Sequence, residues 1–225
     1  MSKQFEIEIK SLLGSKENAD ALKAKIAAKG GDLSKVKESK QLNHYFIYSD
    51  LTKFHDTILP KISDDRKGLF SKIIKEGKNF SIRTREANNK VILVIKASLD
   101  DHSSANGVSR MEFEEVMGMT LDELDKVLLL AGLSYQAKWS REREEYQVGD
   151  TTVCLDKNAG YGYLAEFEKV VDDETKAGEV KSSLEALMKE FGVEELKQDR
   201  LERMFAHYNT HWPEYYGTEK VFNIE

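Results

Sequence analysis

Phe5-Glu6-Ile7-Glu8-Ile9-Lys10 alternates charged and apolar residues without a break. A strand has a side-chain period of two, so Glu6, Glu8 and Lys10 share one face and Phe5, Ile7 and Ile9 the other. The same division returns along the chain. Arg83 and Arg85 oppose Ile82, Lys96 opposes Leu93 and Ile95, and Arg110, Glu112 and Glu114 oppose Met111 and Phe113. Arg141 and Arg143 come next, then Asp156, then Glu166 and Glu168 opposite Ala165 and Phe167. The charged positions amount to seven bases and seven acids.

The alternation predicts about eight strands, over Phe5 to Lys10, Leu42 to Tyr48, Phe80 to Glu86, Val91 to Ala97, Arg110 to Val116, Arg141 to Gln147, Thr152 to Asp156 and Tyr163 to Val170. Short turns such as Ala87-Asn88-Asn89-Lys90 favour antiparallel hairpins. Helical spacing predicts Lys16 to Lys29 (Ala19, Leu22 and Ile26 inward), a second helix opened by a Thr120/Glu123 capping box, and a third from near Asp173 to Gly192. A fourth runs from about Gln198 to His207. The loops Asp50 to Asn79, with a helix near Phe54 to Ile62, and Asp100 to Gly107 stand out by length. The fold class is therefore α+β. No repeat or Pro/Ser-rich linker divides the chain, so residues 1–225 read as one domain.

Composition removes several function classes. With 225 residues, 40% of them hydrophobic, the chain is long enough to bury a core, and two prolines and 14 glycines exclude collagenous character. Thirty-four basic against 40 acidic residues give −6, which argues against general binding to nucleic acid or an anionic membrane. The lone Cys154 cannot form an internal disulfide, and the longest apolar run, near Val127 to Leu130, is too short to span a bilayer. The expected setting is the reducing cytoplasm.

A polar face on an antiparallel sheet is ordinarily its wet side. Here most central positions on that face carry full charges, and arginine clusters on the middle strands. Desolvating one ion costs several kcal/mol, whereas a whole domain is stable by only about 5–15 kcal/mol. Fourteen charges cannot occupy a dry core; they fit a wet cavity where carboxylates hold a divalent metal and guanidinium forks hold a polyanion.

Glu6-x-Glu8-x-Lys10 matches the ExExK signature of the CYTH, or triphosphate tunnel metalloenzyme, superfamily. The order of the later charged motifs is more specific: Arg83-x-Arg85, Lys96, Arg110-x-Glu112-x-Glu114, Arg141 and Arg143, Asp156 before a Gly-containing turn, and Glu166-x-Glu168. Over residues 4–170 the chain thus resembles that superfamily, with helices at about 173–208 as the usual flank and an aromatic tail at 209–225. Two features depart from the pattern: Ile47 stands where an acid is expected after Tyr45-Phe46, and Lys138 precedes the basic pair where the family often places a lysine.

The resemblance implies a closed eight-stranded antiparallel β-barrel, a tunnel with helices packed outside, binding a triphosphate with Mg²⁺ or Mn²⁺. It assigns Glu6, Glu8, Glu166 and Glu168 as metal ligands, with Asp156 in support and Glu112 and Glu114 completing a second metal site or orienting arginines. Lys10, Arg83, Arg85, Lys96, Arg110, Arg141 and Arg143 would grip phosphates, and Lys10, Tyr45 and Glu114 would stand nearest the chemistry. Water would attack the terminal phosphorus of inorganic triphosphate or thiamine triphosphate, best at alkaline pH. Cyclisation of ATP to cyclic AMP, as in class IV adenylate cyclases, is the alternative, and a non-catalytic polyphosphate or nucleotide sensor is a third. RNA 5′-triphosphatase activity is disfavoured by the acidic charge. The protein is expected to be a monomer or homodimer without nucleic-acid or membrane partners.

Other candidates are weaker. Gly160-Tyr161-Gly162 has no following helix and so reads as a turn, not a dinucleotide fingerprint. His207 and His211 lack a carboxylate partner for a metal, and Tyr208, Trp212, Tyr215, Tyr216 and Phe222 read as packing, a tunnel plug or a dimer contact.

Overall fold

The computed structural model describes residues 5–30, 35–98 and 110–225. The Asp100 to Gly107 loop lies outside them. Eight strands are present: β1 (Phe5–Leu12), β2 (Lys35–Ile47), β3 (Lys78–Ala87), β4 (Lys90–Ser98), β5 (Arg110–Met117), β6 (Ser134–Val148), β7 (Thr151–Asn158) and β8 (Gly162–Val171). Six helices accompany them: α1 (Lys16–Gly30), α2 (Leu51–Ile58), α3 (Lys67–Glu76), α4 (Leu121–Leu130), α5 (Ala177–Glu190) and α6 (Gln198–Tyr215). The class is α+β, as expected.

The strands form one sheet in the order β1-β8-β7-β6-β2-β3-β4-β5. The pairings of β1 with β8, β2 with β3, β3 with β4, β4 with β5, β6 with β7 and β7 with β8 are all antiparallel. The order begins at β1 and ends at β5, and no β1–β5 pairing occurs among the described residues, so the sheet is not closed by hydrogen bonds.

The chain divides into two compact units. The first contains the described residues up to Lys40 and from Ser140 to Glu225; the second contains those from Gln41 to Trp139. β2 and β6 each run from one unit into the other.

In the first unit, alternation turns Ile7 and Ile9 of β1, Val153 and Leu155 of β7, and Ala165 and Phe167 of β8 into a common core. Ala19, Leu22 and Ile26 of α1 and Val180, Leu184 and Met188 of α5 cover them. Each such aliphatic or aromatic side chain contributes about 1.5–3 kcal/mol by leaving water. The first half of β2 lacks alternating apolar residues and is absent from the strand expected at Leu42. Its lysines pair with acids of β6, Lys37 with Glu145 at 3.3 Å and Lys40 with Glu142 at 3.0 Å.

In the second unit Ile82, Leu93, Ile95 and Phe113 form the inner sheet face. The expected capping box opens α4, Thr120 accepting from the Glu123 backbone while Glu123 accepts from that of Thr120. Leu121, Leu124 and Leu128 are buried, and Gly132 follows in the left-handed region (φ 90°), where a side chain is strained. The 50–79 stretch is not a loop with one helix. Asp50 caps α2 through the Thr52 and Lys53 backbones, α3 comes after it, and Phe54, Ile58, Phe70 and Ile73 are buried in this unit's core.

Candidate active site

The polar sheet face of the first unit gathers the predicted residues of β1, β6, β7 and β8. Register places Glu8 opposite Glu168 and Lys10 opposite Glu166, and sets Arg143 against Asp156. Carboxylate oxygens of Glu6, Glu8 and Glu168 lie within 4.8 Å of one another. Beside them the Lys10 ammonium donates to Glu8 Oε1 at 2.6 Å and stands 3.6 Å from Glu166.

Asp156 is almost wholly buried and serves as an arginine anchor. Arg143 grips it as a fork, Nε to Oδ1 at 2.7 Å and Nη2 to Oδ2 at 2.6 Å, and Arg141 adds a bond at 2.9 Å. Arg143 Nη2 also donates to Glu166. Paired forks of this kind fix the guanidinium plane as well as its charge. Cys154, opposite Glu166, is buried, and burial pushes its thiol up, which keeps it a neutral strand residue.

Two glutamates on one strand therefore meet opposite environments. Burial opposes ionisation of Glu166, but the charges of Arg143, Lys10 and Arg141 outweigh it and hold its carboxyl well below the usual range. For Glu168, burial and then the nearby Glu6 and Glu166 carboxylates push the carboxyl up to about 8. Crowded acids of this sort stay partly protonated until a cation relieves them.

The second unit carries the remaining predicted residues on β2 to β5. Arg83 Nη1 donates to the Tyr45 hydroxyl at 2.6 Å, and its guanidinium carbon lies 5.3 Å from the Tyr45 ring centre. Arg85 donates through Nε to Asn43 Oδ1 at 3.0 Å and through Nη1 to Glu114 at 3.1 Å. Lys96 and Glu112 are cross-strand partners with an N–O distance of 3.4 Å. Arg110 opens β5 opposite Ser98; its side chain lies outside the described set. Trp139 tilts against Tyr45 with centroids 6.0 Å apart.

Lys138, the lysine before the basic pair, is found beside Tyr135 and Asp125. It lies over the Tyr135 ring at 4.3 Å and 4.0 Å from Asp125. Asp125 is the residue that motif reading passes over: a buried carboxylate on α4 accepting from His44 Nδ1, Thr84 Oγ1 and Tyr135 Oη, each at 2.6 Å. Burial opposes its charge, but these donors hold its carboxyl below the usual value. Its signal is the α4 stripe itself, since Asp125 stands four residues after Leu121 and three before Leu128.

The Gly160-Tyr161-Gly162 segment is a turn, as expected, between β7 and β8. The tail clasps it: Gly160 N donates to Lys220 O and Phe222 N to Gly160 O, both at 2.8 Å. Tyr161, Tyr208, Tyr215 and Phe222 pack together there, so these tail aromatics are packing residues. Tyr208 and Tyr215 belong to α6, which runs past the expected end at His207 because Pro213 falls in its last turn and removes only one backbone bond. The His207 and His211 rings stack with centroids 4.3 Å apart.

No helix among the described residues is long and apolar enough to cross a membrane. No curated protein matches the chain. Among solved structures, the PH1819 protein of Pyrococcus horikoshii OT3 superposes with TM-score 0.60 at 22% identity, over 86% of this chain and 93% of that one. A conserved hypothetical protein of Pyrococcus furiosus gives 0.58 at 19%, over 87% and 93%. A Vibrio parahaemolyticus structure described as a "putative adenylate cyclase" gives 0.57 at 16%, over 91% and 99%. At these identities the likeness is one of fold. The family profile described as the CYTH domain matches residues 75–201, more than half of the sequence, and the chain belongs to the CYTH domain family.

Proposed function

We propose that this protein is a divalent-metal-dependent hydrolase that releases the terminal phosphate of inorganic triphosphate or a small organic triphosphate such as thiamine triphosphate. The observation that carries the reading is the Glu6, Glu8 and Glu168 cluster set beside Lys10, Arg141 and Arg143. Hard carboxylate oxygens suit Mg²⁺ or Mn²⁺, and the burial and carboxylate repulsion that raise Glu168 are offset by a cation there. When bound, the cation supplies charge neutralisation and a more acidic water.

The chain's own residues do the positioning. Asp156 and Glu166 orient Arg143, and Arg141 shares Asp156, so guanidinium edges are fixed before substrate arrives. Arg83, Arg85, Lys96 and Arg110 are assigned to phosphate oxygens, with Glu112 and Glu114 orienting Lys96 and Arg85. Lys10, Tyr45 and Glu114 are assigned to the reacting end. Closure of the sheet into a tunnel and a cytoplasmic setting belong to the same reading.

A second reading, cyclisation of ATP with release of pyrophosphate, is favoured by Tyr45 and Trp139, an aromatic pair beside Arg83 on which a base can stack. A product-resolved assay with inorganic triphosphate, thiamine triphosphate and ATP, plus Mg²⁺ or Mn²⁺, separates the two. Phosphate release, strongest with inorganic triphosphate, supports the hydrolase; cyclic AMP with equal pyrophosphate supports the cyclase. The double variant Glu6→Ala, Glu8→Ala is expected to lose metal-dependent turnover by about 100-fold or more. A sensor would instead bind polyphosphate unchanged or more tightly, and no turnover of any triphosphate between about pH 6 and 10 would sink the enzyme reading.

A further inference from the structure

His44 and Thr84 are cross-strand partners on β2 and β3. The period of two points them away from the face that carries their neighbours, and those neighbours are the pairs Tyr45 with Arg83 and Asn43 with Arg85. The His44–Thr84 rung therefore stands between the two rungs that hold both arginines. Asp125 reaches it from α4, accepting from Thr84 on Oδ1 and from His44 on Oδ2, and takes a third bond on Oδ2 from Tyr135 of β6. Tyr135 precedes Trp139 by four residues on the same strand. One carboxylate thus ties three strands, each of which carries a residue of the polar cluster.

His44, Thr84 and Asp125 are all buried. A buried carboxylate is a costly way to fill a core, since apolar replacement of a whole buried polar group is often neutral or stabilising. What an apolar trio lacks is direction: it packs, but it does not hold a rung at one height and angle. α4 is a firm post for such a clamp, closed at its start by the capping box and buried along Leu121, Leu124 and Leu128.

We infer that Asp125 is a positioning residue, fixing Arg83, Arg85 and Tyr45 on the polar face by clamping the His44–Thr84 rung from behind. The inference rests on the proposed role of those arginines in binding triphosphate.

The test compares Asp125→Asn and the apolar triple variant His44→Phe, Thr84→Val, Asp125→Leu with the parent protein. The readouts are melting temperature, steady-state kinetics with inorganic triphosphate and Mg²⁺, and calorimetric triphosphate affinity without metal. Asp125→Asn still accepts from Thr84 and is satisfied by a change of His44 tautomer, so it is expected to stay within about threefold of the parent. The folded triple variant is expected to melt below the parent, because Tyr135 and Lys138 lose Asp125, and to lose about tenfold or more in KM and in triphosphate affinity, as misplaced binding groups do. Unchanged KM and affinity in a folded triple variant would show the network to be packing alone and overturn the inference. If the triple variant does not fold, Thr84→Val decides: about a fivefold rise in KM is expected from one lost bond, and an unchanged KM overturns. Failure of the two readings is distinguishable. A parent protein that binds triphosphate without hydrolysing it removes the proposed hydrolase while the affinity ratio still judges Asp125; a parent that binds none removes both.

Discussion

Glu166 and Glu168 point from the same face of β8, and their surroundings shift the two carboxyls in opposite directions. The consequences carry opposite signs. Glu166, depressed, contributes stability that is present above the ordinary glutamate range and lost as pH falls into acid. Glu168, raised by burial and by Glu6 to about 8, binds a proton in the folded state that the unfolded chain has released above its ordinary value of 4.5. Without metal, stability should therefore decline as pH rises from 4.5 to about 8. Thermal melts in chelator across that window should show the decline, and Glu168→Gln should flatten it. Because a ligand must shed its proton, Mn²⁺ affinity should rise with pH up to about 8 and level beyond, which titration calorimetry in two buffers can read as proton release. The charged face of the candidate site was legible because charged residues recur at every second position on its strands. Their pairing was not: the resemblance assigns Asp156 to the support of the metal, and the bonds it accepts from Arg141 and Arg143 are set by which neighbours reach it across the sheet.

At the scale of elements, the turn between β7 and β8 is held by more than its own bonds. Gly160 has φ +84°, and a Cβ there would stand 2.6 Å from the Tyr208 ring. Gly160→Ala should cost about 2–5 kcal/mol, combining left-handed strain with overpacking. Thr120→Ala at the start of α4 should cost only about 1 kcal/mol. Denaturant titration of the two variants orders them, and equal costs would mean that the tail does not brace the turn. Elements with a clear period or cap, such as β1, β8 and α4, were readable to within a few residues. The start of β2 was not, because apolar alternation is lacking there, and α3 was obscured by a stretch in which polar residues separate short apolar groups, whereas the helix expected near Phe54 to Ile62 overlaps α2.

For the whole molecule, the proposed metal role of the glutamate cluster predicts that stability depends on the cation. At about 100 times its dissociation constant, Mn²⁺ should add roughly 2.7 kcal/mol, and the Glu6→Ala, Glu8→Ala variant should show no such gain in a thermal melt. The class of the fold followed from alternation, but the strand order did not, since the neighbours β6 and β2 are far apart in sequence and β1 and β8 are separated by most of the chain. That last pairing governs how the protein can be made. Glu8 emerges from the ribosome about 160 residues before its partner Glu168, roughly 10–30 s at ordinary elongation rates. Through that interval β1 is an unpaired edge carrying Ile7 and Ile9, the kind of segment that chaperones shield and that otherwise aggregates. A nascent or prematurely ended chain has no complete glutamate cluster, because Glu168 is supplied only by the strand that pairs with β1 late in synthesis.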